Sequence, residues 1–160
     1  MEDLSPLITE QHKTKHYRPV AVAIIRNARG EILFTQDTKT GGWQLPQGGI
    51  ESGENAEAGL LREIAEELGT HRSQLQNIQY KGRADLDFEP TRIERRGFTK
   101  GKRYFFFSLE YTGPSKLTVN PEEINDYRWA DENRAPEVMA ATRREKAELI
   151  LSFLDETDGK

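Results

Sequence analysis

The chain has 160 residues with a formal net charge of -4, 35% apolar and 31% charged residues, and no cysteine. Its length fits one domain with a sizeable core. The missing cysteines exclude disulfides, thiolate zinc sites and a cysteine nucleophile, and the acidic balance argues against phosphate-backbone binding by overall charge.

In chain order, residues 1–16 mix Glu2, Asp3, Glu10, Lys13 and Lys15 with few apolar positions. They are expected to form a flexible lead-in without a signal-peptide core, ahead of a single domain over 17–156. No run of eighteen apolar residues occurs, so a soluble, cytoplasmic protein with no membrane association is expected. "PVAVAII" (19–25) predicts a buried strand, "NARGE" a turn, and "EILFTQ" the returning strand of a hairpin. "DTKTGG" reads as loop, "WQLP" as a short extended piece ended by Pro46, and Gly48-Gly49 as a release into unusual backbone angles. A helix is predicted from about Ala56 to Leu68, with Asn55 as N-cap and Gly69 as its stop.

"LQNIQYKGRADLDF" suggests one or two strands, and "RYFFFSLEY" (103–111) is the strongest strand in the chain. Between them, "RIERRGFTKGKR" (92–103) sets six basic residues against Glu94, which suits either a polyanion contact or a solvated loop. A short extended piece is expected near Tyr127–Ala130, and the spacing of Val138, Met139, Ala147, Ile150, Leu151 and Leu154 predicts a helix over 135–154. Strands and helices mix without βαβ regularity, which favours an α+β or sheet-sandwich class.

The segment from Trp43 to Thr70 concentrates glutamate beside glycine. At 100° per residue, Leu61, Ile64, Ala65 and Leu68 gather on one side of the predicted helix, with Glu63, Glu66 and Glu67 opposite. Like charges at that spacing repel by a few tenths of a kcal/mol per pair. A divalent cation removes the conflict, and hard oxygen ligands suit Mg²⁺ or Mn²⁺; the alternative is a solvated acidic face. Gly48, Gly49 and Gly53 let the chain bring Glu51 and Glu54 back towards the helix. There Glu54 can pair with Arg62, whose alternative is an i,i+4 pair with Glu66.

Gly48, five residues, Glu54, seven residues and then "REIAEELGT" (62–70) resemble the Nudix box, every charged and glycine position matching. Thr70 stands where an aliphatic residue is usual, which is a packing position. The resemblance implies a Nudix fold, an α/β/α sandwich around a mixed β-sheet carrying a catalytic loop and helix. It also implies hydrolysis of a nucleoside diphosphate linked to another group, with Mg²⁺ or Mn²⁺, more than one ion per site. Carried onto this chain, it makes Glu63, Glu66 and Glu67 metal-binding or base-forming carboxylates, Glu54 and Arg62 the orienting pair, and the Gly48 carbonyl a further ligand.

"YRPVAVAII", "WQLPQGGI" and "INDYRW" are similar to the branch of RNA pyrophosphohydrolases and diadenosine polyphosphate hydrolases. That branch implies a further metal ligand or base at Glu123, or at Glu122. Arg18, Lys100, Lys102 and Arg103 are candidate phosphate contacts. Phe88, Tyr104 and Tyr127 are candidates to stack on a base, at most one of them doing so. Two positions depart from the branch: Leu86, where dinucleotide-cleaving members tend to have tyrosine, and Thr142, in place of an aromatic that RNA-processing members have on the last helix. The expected function is hydrolysis of 5′-polyphosphorylated RNA ends or dinucleoside polyphosphates. An ADP-ribose or nucleotide-sugar pyrophosphatase is the enzymatic alternative, and a non-catalytic nucleotide or RNA sensor the alternative of another class.

Overall fold

The computed structural model describes residues 3–89 and 97–158. Arg92, Arg95 and Arg96 of the basic stretch lie outside the described residues. The expected lead-in is instead helix α1 (Ser5–Thr14). Leu4, Ile8 and Gln11 fall on one stripe and are buried, and burial of two aliphatic side chains contributes about 1.5–3 kcal/mol each. Pro6 suits the first turn, and Lys15 ends the helix at φ 60°. An apolar stripe this narrow gives a weak sequence signal.

The strands are β1 (Tyr17–Arg26), β2 (Ile32–Asp37), β3 (Trp43–Gln44), β4 (Gln47–Gly49), β5 (Leu75–Asp87), β6 (Gly101–Tyr111) and β7 (Ile124–Ala130). They form one mixed sheet in the order β3-β2-β1-β6-β5, with β4 added on β1 and β7 on β2. The β1–β6 pair is parallel from Tyr17 opposite Gly101 to Arg26 opposite Glu110, and the other pairs are antiparallel.

Side chains alternate across β1 and β6, so each strand serves two cores. Ala21, Ala23, Ile25, Phe105 and Phe107 face α1 and the helix α2 (Ala56–Leu68), where they meet Leu60, Ile64 and Leu68. Val20, Val22, Ile24, Tyr104 and Phe106 face the C-terminal helices α3 (Ala135–Val138) and α4 (Arg144–Asp158). There the Phe106 and Phe153 rings stack with centroids 3.9 Å apart. Helices therefore cover both faces, giving the expected α/β/α sandwich.

β5 is one long strand, bulged where Asn77 and Gly82 take positive φ. At Gly82 a Cβ would come within 3.1 Å of the Phe153 ring. The single helix expected over 135–154 is broken between Val138 and Arg144. In the gap the Thr142 hydroxyl donates to the Trp43 carbonyl at 2.5 Å, fixing the backbone against β3.

Candidate active site

Helix α2 begins and ends as its sequence predicts. The Asn55 side chain accepts the Ala58 N–H at the N-cap, and Gly69 stops the helix at φ 66°. Its faces differ from the expectation. Ala65 is exposed, whereas Glu67, only 9% exposed, sits among Leu60, Ile64 and Leu68 on the buried side. The buried stripe is wider than the apolar residues alone indicate, because it includes a carboxylate facing a cavity.

Three carboxylates converge there. Ligand oxygens of Glu63, Glu67 and Glu123 all lie within 4.8 Å of one another. Glu66 stands outside this triad, its side chain 56% exposed and 3.6 Å from Arg62. Burial, then the neighbouring charges of Glu63 and Glu123, push the Glu67 carboxyl up to about 9. Glu123 is also raised, first by burial and then by Glu63 and Glu66.

Glycine is what allows this approach. A Cβ on Gly48, opposite Ala21 in the sheet, would fall 2.2 Å from the Glu63 carboxyl carbon. One on Gly49 would fall 2.4 Å from Arg18 Nη2, so the guanidinium lies against bare backbone. A side chain at Gly48 would displace the Glu63 carboxylate, and one at Gly49 would push the Arg18 guanidinium aside.

Arg62 ties loop to helix. Its Nε and Nη2 donate to Glu54 at 2.8 and 2.9 Å, Nη2 also to the Gly49 carbonyl at 2.9 Å, and Nη1 to Glu63 at 2.7 Å. Glu54 accepts the Glu51 N–H at 2.9 Å. Hydrogen bonds from Arg62 hold the Glu54 carboxyl below its ordinary range, and Glu54 in turn raises the guanidinium. Of the two partners open to Arg62 in the sequence, Glu54 is the close one.

The triad borders a cavity of about 380 Å³ that Arg18 and Lys102 also line. A second cavity, about 280 Å³, is bounded by Leu86, Phe88, Tyr104, Thr142, Arg143 and Lys146. Gln44, Gln47 and Lys102 line both, so the two form adjoining parts of one cleft. A larger cavity of about 460 Å³ lies by Leu4, Asn55 and Phe107, and no triad residue lines it.

The sequence candidates divide accordingly. Arg18 and Lys102 reach the carboxylate end, while Phe88 stands at the second cavity, where the 3% exposed Tyr104 forms its wall. Arg103 follows Lys102 on the strand and takes the opposite face, where Asp85 accepts from its Nε and Nη2 at 2.7 and 2.8 Å. Lys100 is exposed, its backbone bonded to His16 and Phe88, and it lines neither part of the cleft. Tyr127 packs on the core below α2, with its hydroxyl accepting the Leu117 N–H at 2.9 Å. It lines neither part of the cleft. Glu122 lies at the rim, its carbonyl accepting from Thr38.

Among the cleft residues that the sequence reading did not single out are Asp37, Gln44, Gln47, Arg143 and Lys146. The Lys146 ammonium donates to Gln44 and, at 3.3 Å, to Gln47; it lies 5.9 Å from the Tyr104 ring centroid. Arg143 donates to the Asp87 carbonyl at 2.9 Å. The glutamines lie inside "WQLPQGG", which signalled the site without giving their direction, and no local pattern distinguishes Lys146 from the other charges of α4.

The NUDIX domain model matches residues 16–152. The chain belongs to the Nudix family. An RNA pyrophosphohydrolase of Sphingopyxis alaskensis is 31% identical to this Nudix hydrolase over 129 residues, 75% of this chain and 81% of that protein. One from Erythrobacter litoralis is 28% identical over 144 residues, 84% and 88% of the two chains. Among solved structures, a C. elegans Ap4A hydrolase in a binary complex superposes with a TM-score of 0.65 at 20% identity, covering 88% of this chain and 99% of that one. The E. coli dihydroneopterin triphosphate pyrophosphohydrolase gives 0.69 at 18% identity over the same shares. These two structures share the fold of this Nudix hydrolase. Among its described residues, no helix is long and apolar enough to cross a membrane.

Proposed function

We propose that this Nudix hydrolase cleaves a phosphoanhydride bond at the 5′-polyphosphate end of RNA, using a divalent metal. The observation that carries the reading is the Glu63–Glu67–Glu123 triad at one end of a cleft whose other end has apolar walls and cationic side chains. The donors fit Mg²⁺ or Mn²⁺: all are hard carboxylate oxygens within 4.8 Å of one another, and a cation would offset the burial and mutual repulsion that raise the Glu67 carboxyl. When bound, such ions neutralise phosphate charge and acidify a water.

The chain's own groups do the rest. Glu63, Glu67 and Glu123 would hold the ions, with the Gly48 carbonyl as a further donor. Glu54 and Arg62 fix the loop against α2, so the carboxylates are placed before substrate arrives. Arg18 and Lys102 take the phosphates, and Phe88 with Leu86 flanks a nucleoside, for which Lys146 and Arg143 supply donors. Water adds to one phosphorus, the phosphoanhydride P–O bond breaks, and the water's proton passes to Glu66, the box carboxylate left outside the triad. The products are a 5′-monophosphate end and pyrophosphate, or phosphate in successive steps.

The likeness to RNA pyrophosphohydrolases favours RNA over dinucleoside polyphosphates, as does Leu86 in place of tyrosine at the cleft wall, whereas Thr142 at the same cavity departs from the RNA-processing pattern. Phosphate and pyrophosphate release from 5′-triphosphorylated RNA, diadenosine tetraphosphate and ADP-ribose, each with Mg²⁺ or Mn²⁺, tests the reading. RNA should be turned over fastest. A preference for the dinucleotide redirects the substrate class, and turnover of ADP-ribose alone overturns the branch. Tight binding of a nucleotide without turnover of any substrate makes the protein a sensor.

A further inference from the structure

Glu123 is the only member of the triad that does not come from α2, so something must hold its loop in register with that helix. We infer that Asn120 is the positioning residue for Glu123, an inference that rests on the metal reading above. "NPEE" (120–123) forms a β-turn, with Asn at the first position and Pro at the second, where each is favoured. The Asn120 carbonyl accepts the N–H groups of Glu123 at 3.1 Å and Ile124 at 2.9 Å, and its side-chain Oδ1 accepts that of Glu122 at 3.0 Å. Its own N–H donates to the Glu67 carbonyl at 2.8 Å.

One residue thus bonds to the backbone that bears Glu67 and also closes the turn that bears Glu123. The start of the loop is held separately. Tyr111 and Trp129 stack at 5.7 Å and donate to the carbonyls of Pro114 and Ser115, and Tyr127 takes the Leu117 N–H. Asn120→Ala removes the Oδ1 bond to the Glu122 N–H and keeps the backbone bonds to Glu67, Glu123 and Ile124, so it tests whether the side chain's hold on the turn is what presents Glu123, with the aromatic anchorage left in place. Groups that orient a metal ligand typically change affinity or activity 10- to 100-fold when lost.

The test is Mn²⁺ binding to the full chain, followed by electron paramagnetic resonance without substrate, for wild type, Asn120→Ala, Asn120→Ser and Glu123→Gln. Asn120→Ala should weaken Mn²⁺ binding about 10-fold with the melting temperature of the metal-free protein held. Asn120→Ser, whose hydroxyl can accept the same N–H, should recover part of the affinity. In a Glu123→Gln background the alanine substitution should cost almost nothing further, because the two act as one unit. Unchanged affinity in Asn120→Ala, or the same loss with Glu123 already neutralised, overturns the positioning role while the metal centre stands. A wild-type protein that binds no Mn²⁺ overturns the metal centre itself, and this inference with it.

Discussion

The two ends of the cleft are built in opposite ways. The carboxylates and glycines of one end come from one continuous stretch, Gly48 to Glu67, plus Glu123, with Arg18 and Lys102 reaching them from β1 and β6. The other end is assembled from side chains far apart in sequence, Gln44, Leu86, Phe88, Tyr104 and Lys146 among them. Chemistry is thus encoded locally and recognition by tertiary assembly. Damage at the first end should appear in kcat, and damage at the second in KM.

Glu67→Gln is the sharpest probe of this division. It should lower kcat on triphosphorylated RNA by about 10³-fold, the scale of a lost acid–base or ligand carboxylate, with KM nearly unchanged in steady-state assays. A loss confined to KM would erase the contrast. Arg62→Ala comes next, because it releases Glu54, Glu63 and the Gly49 carbonyl together. A displaced carboxylate costs about 10²-fold in kcat, and the melting temperature of the purified variant should also fall.

At the opposite end, Arg143→Ala and Lys146→Met should each raise KM about 10-fold, the worth of one charge-assisted hydrogen bond, with kcat within about 2-fold. Equal losses of kcat would mean that these residues reach the reacting phosphate.

The smallest effect concerns stability without metal. The Glu67 carboxyl titrates near 9 in the folded protein, well above its ordinary value, so ionisation favours the unfolded chain. Below the unfolded pKa it costs nothing. As pH rises towards 9 the unfolded state loses its proton first, and stability declines until the folded-state group ionises too. In EDTA, Glu67→Gln should therefore match wild type near pH 4 and exceed it at pH 8 by on the order of 1–3 kcal/mol, measured by urea unfolding. Saturating Mn²⁺ should reverse the order.

What was legible in the sequence follows the same division. Helix α2, its caps and its loop could be read because each rests on short-range rules: Asn55 at the N-cap, Gly69 at the stop and Arg62 eight residues from Glu54. Strands β1, β2 and β6 were legible from apolar runs. Helix α1 was missed because Leu4 and Ile8 carry its docking almost alone, and the break before α4 because Thr142 bonds to a carbonyl on β3. Arg103 and Lys102 were indistinguishable as charges. Only the strand register places one in the cleft and the other beside Asp85.

The parallel pairing of β1 with β6 has a consequence for how the chain reaches its native state. Tyr17 must meet Gly101, and α2 is synthesised between the two. Contacts of such long sequence separation form late, after a costly loop closure. The acidic helix therefore leaves the ribosome before the strand that completes its half of the core, and Glu123 emerges later still. Until then the glutamates of α2 lack their third partner, so commitment of the chain to its sheet and completion of its carboxylate triad coincide in time.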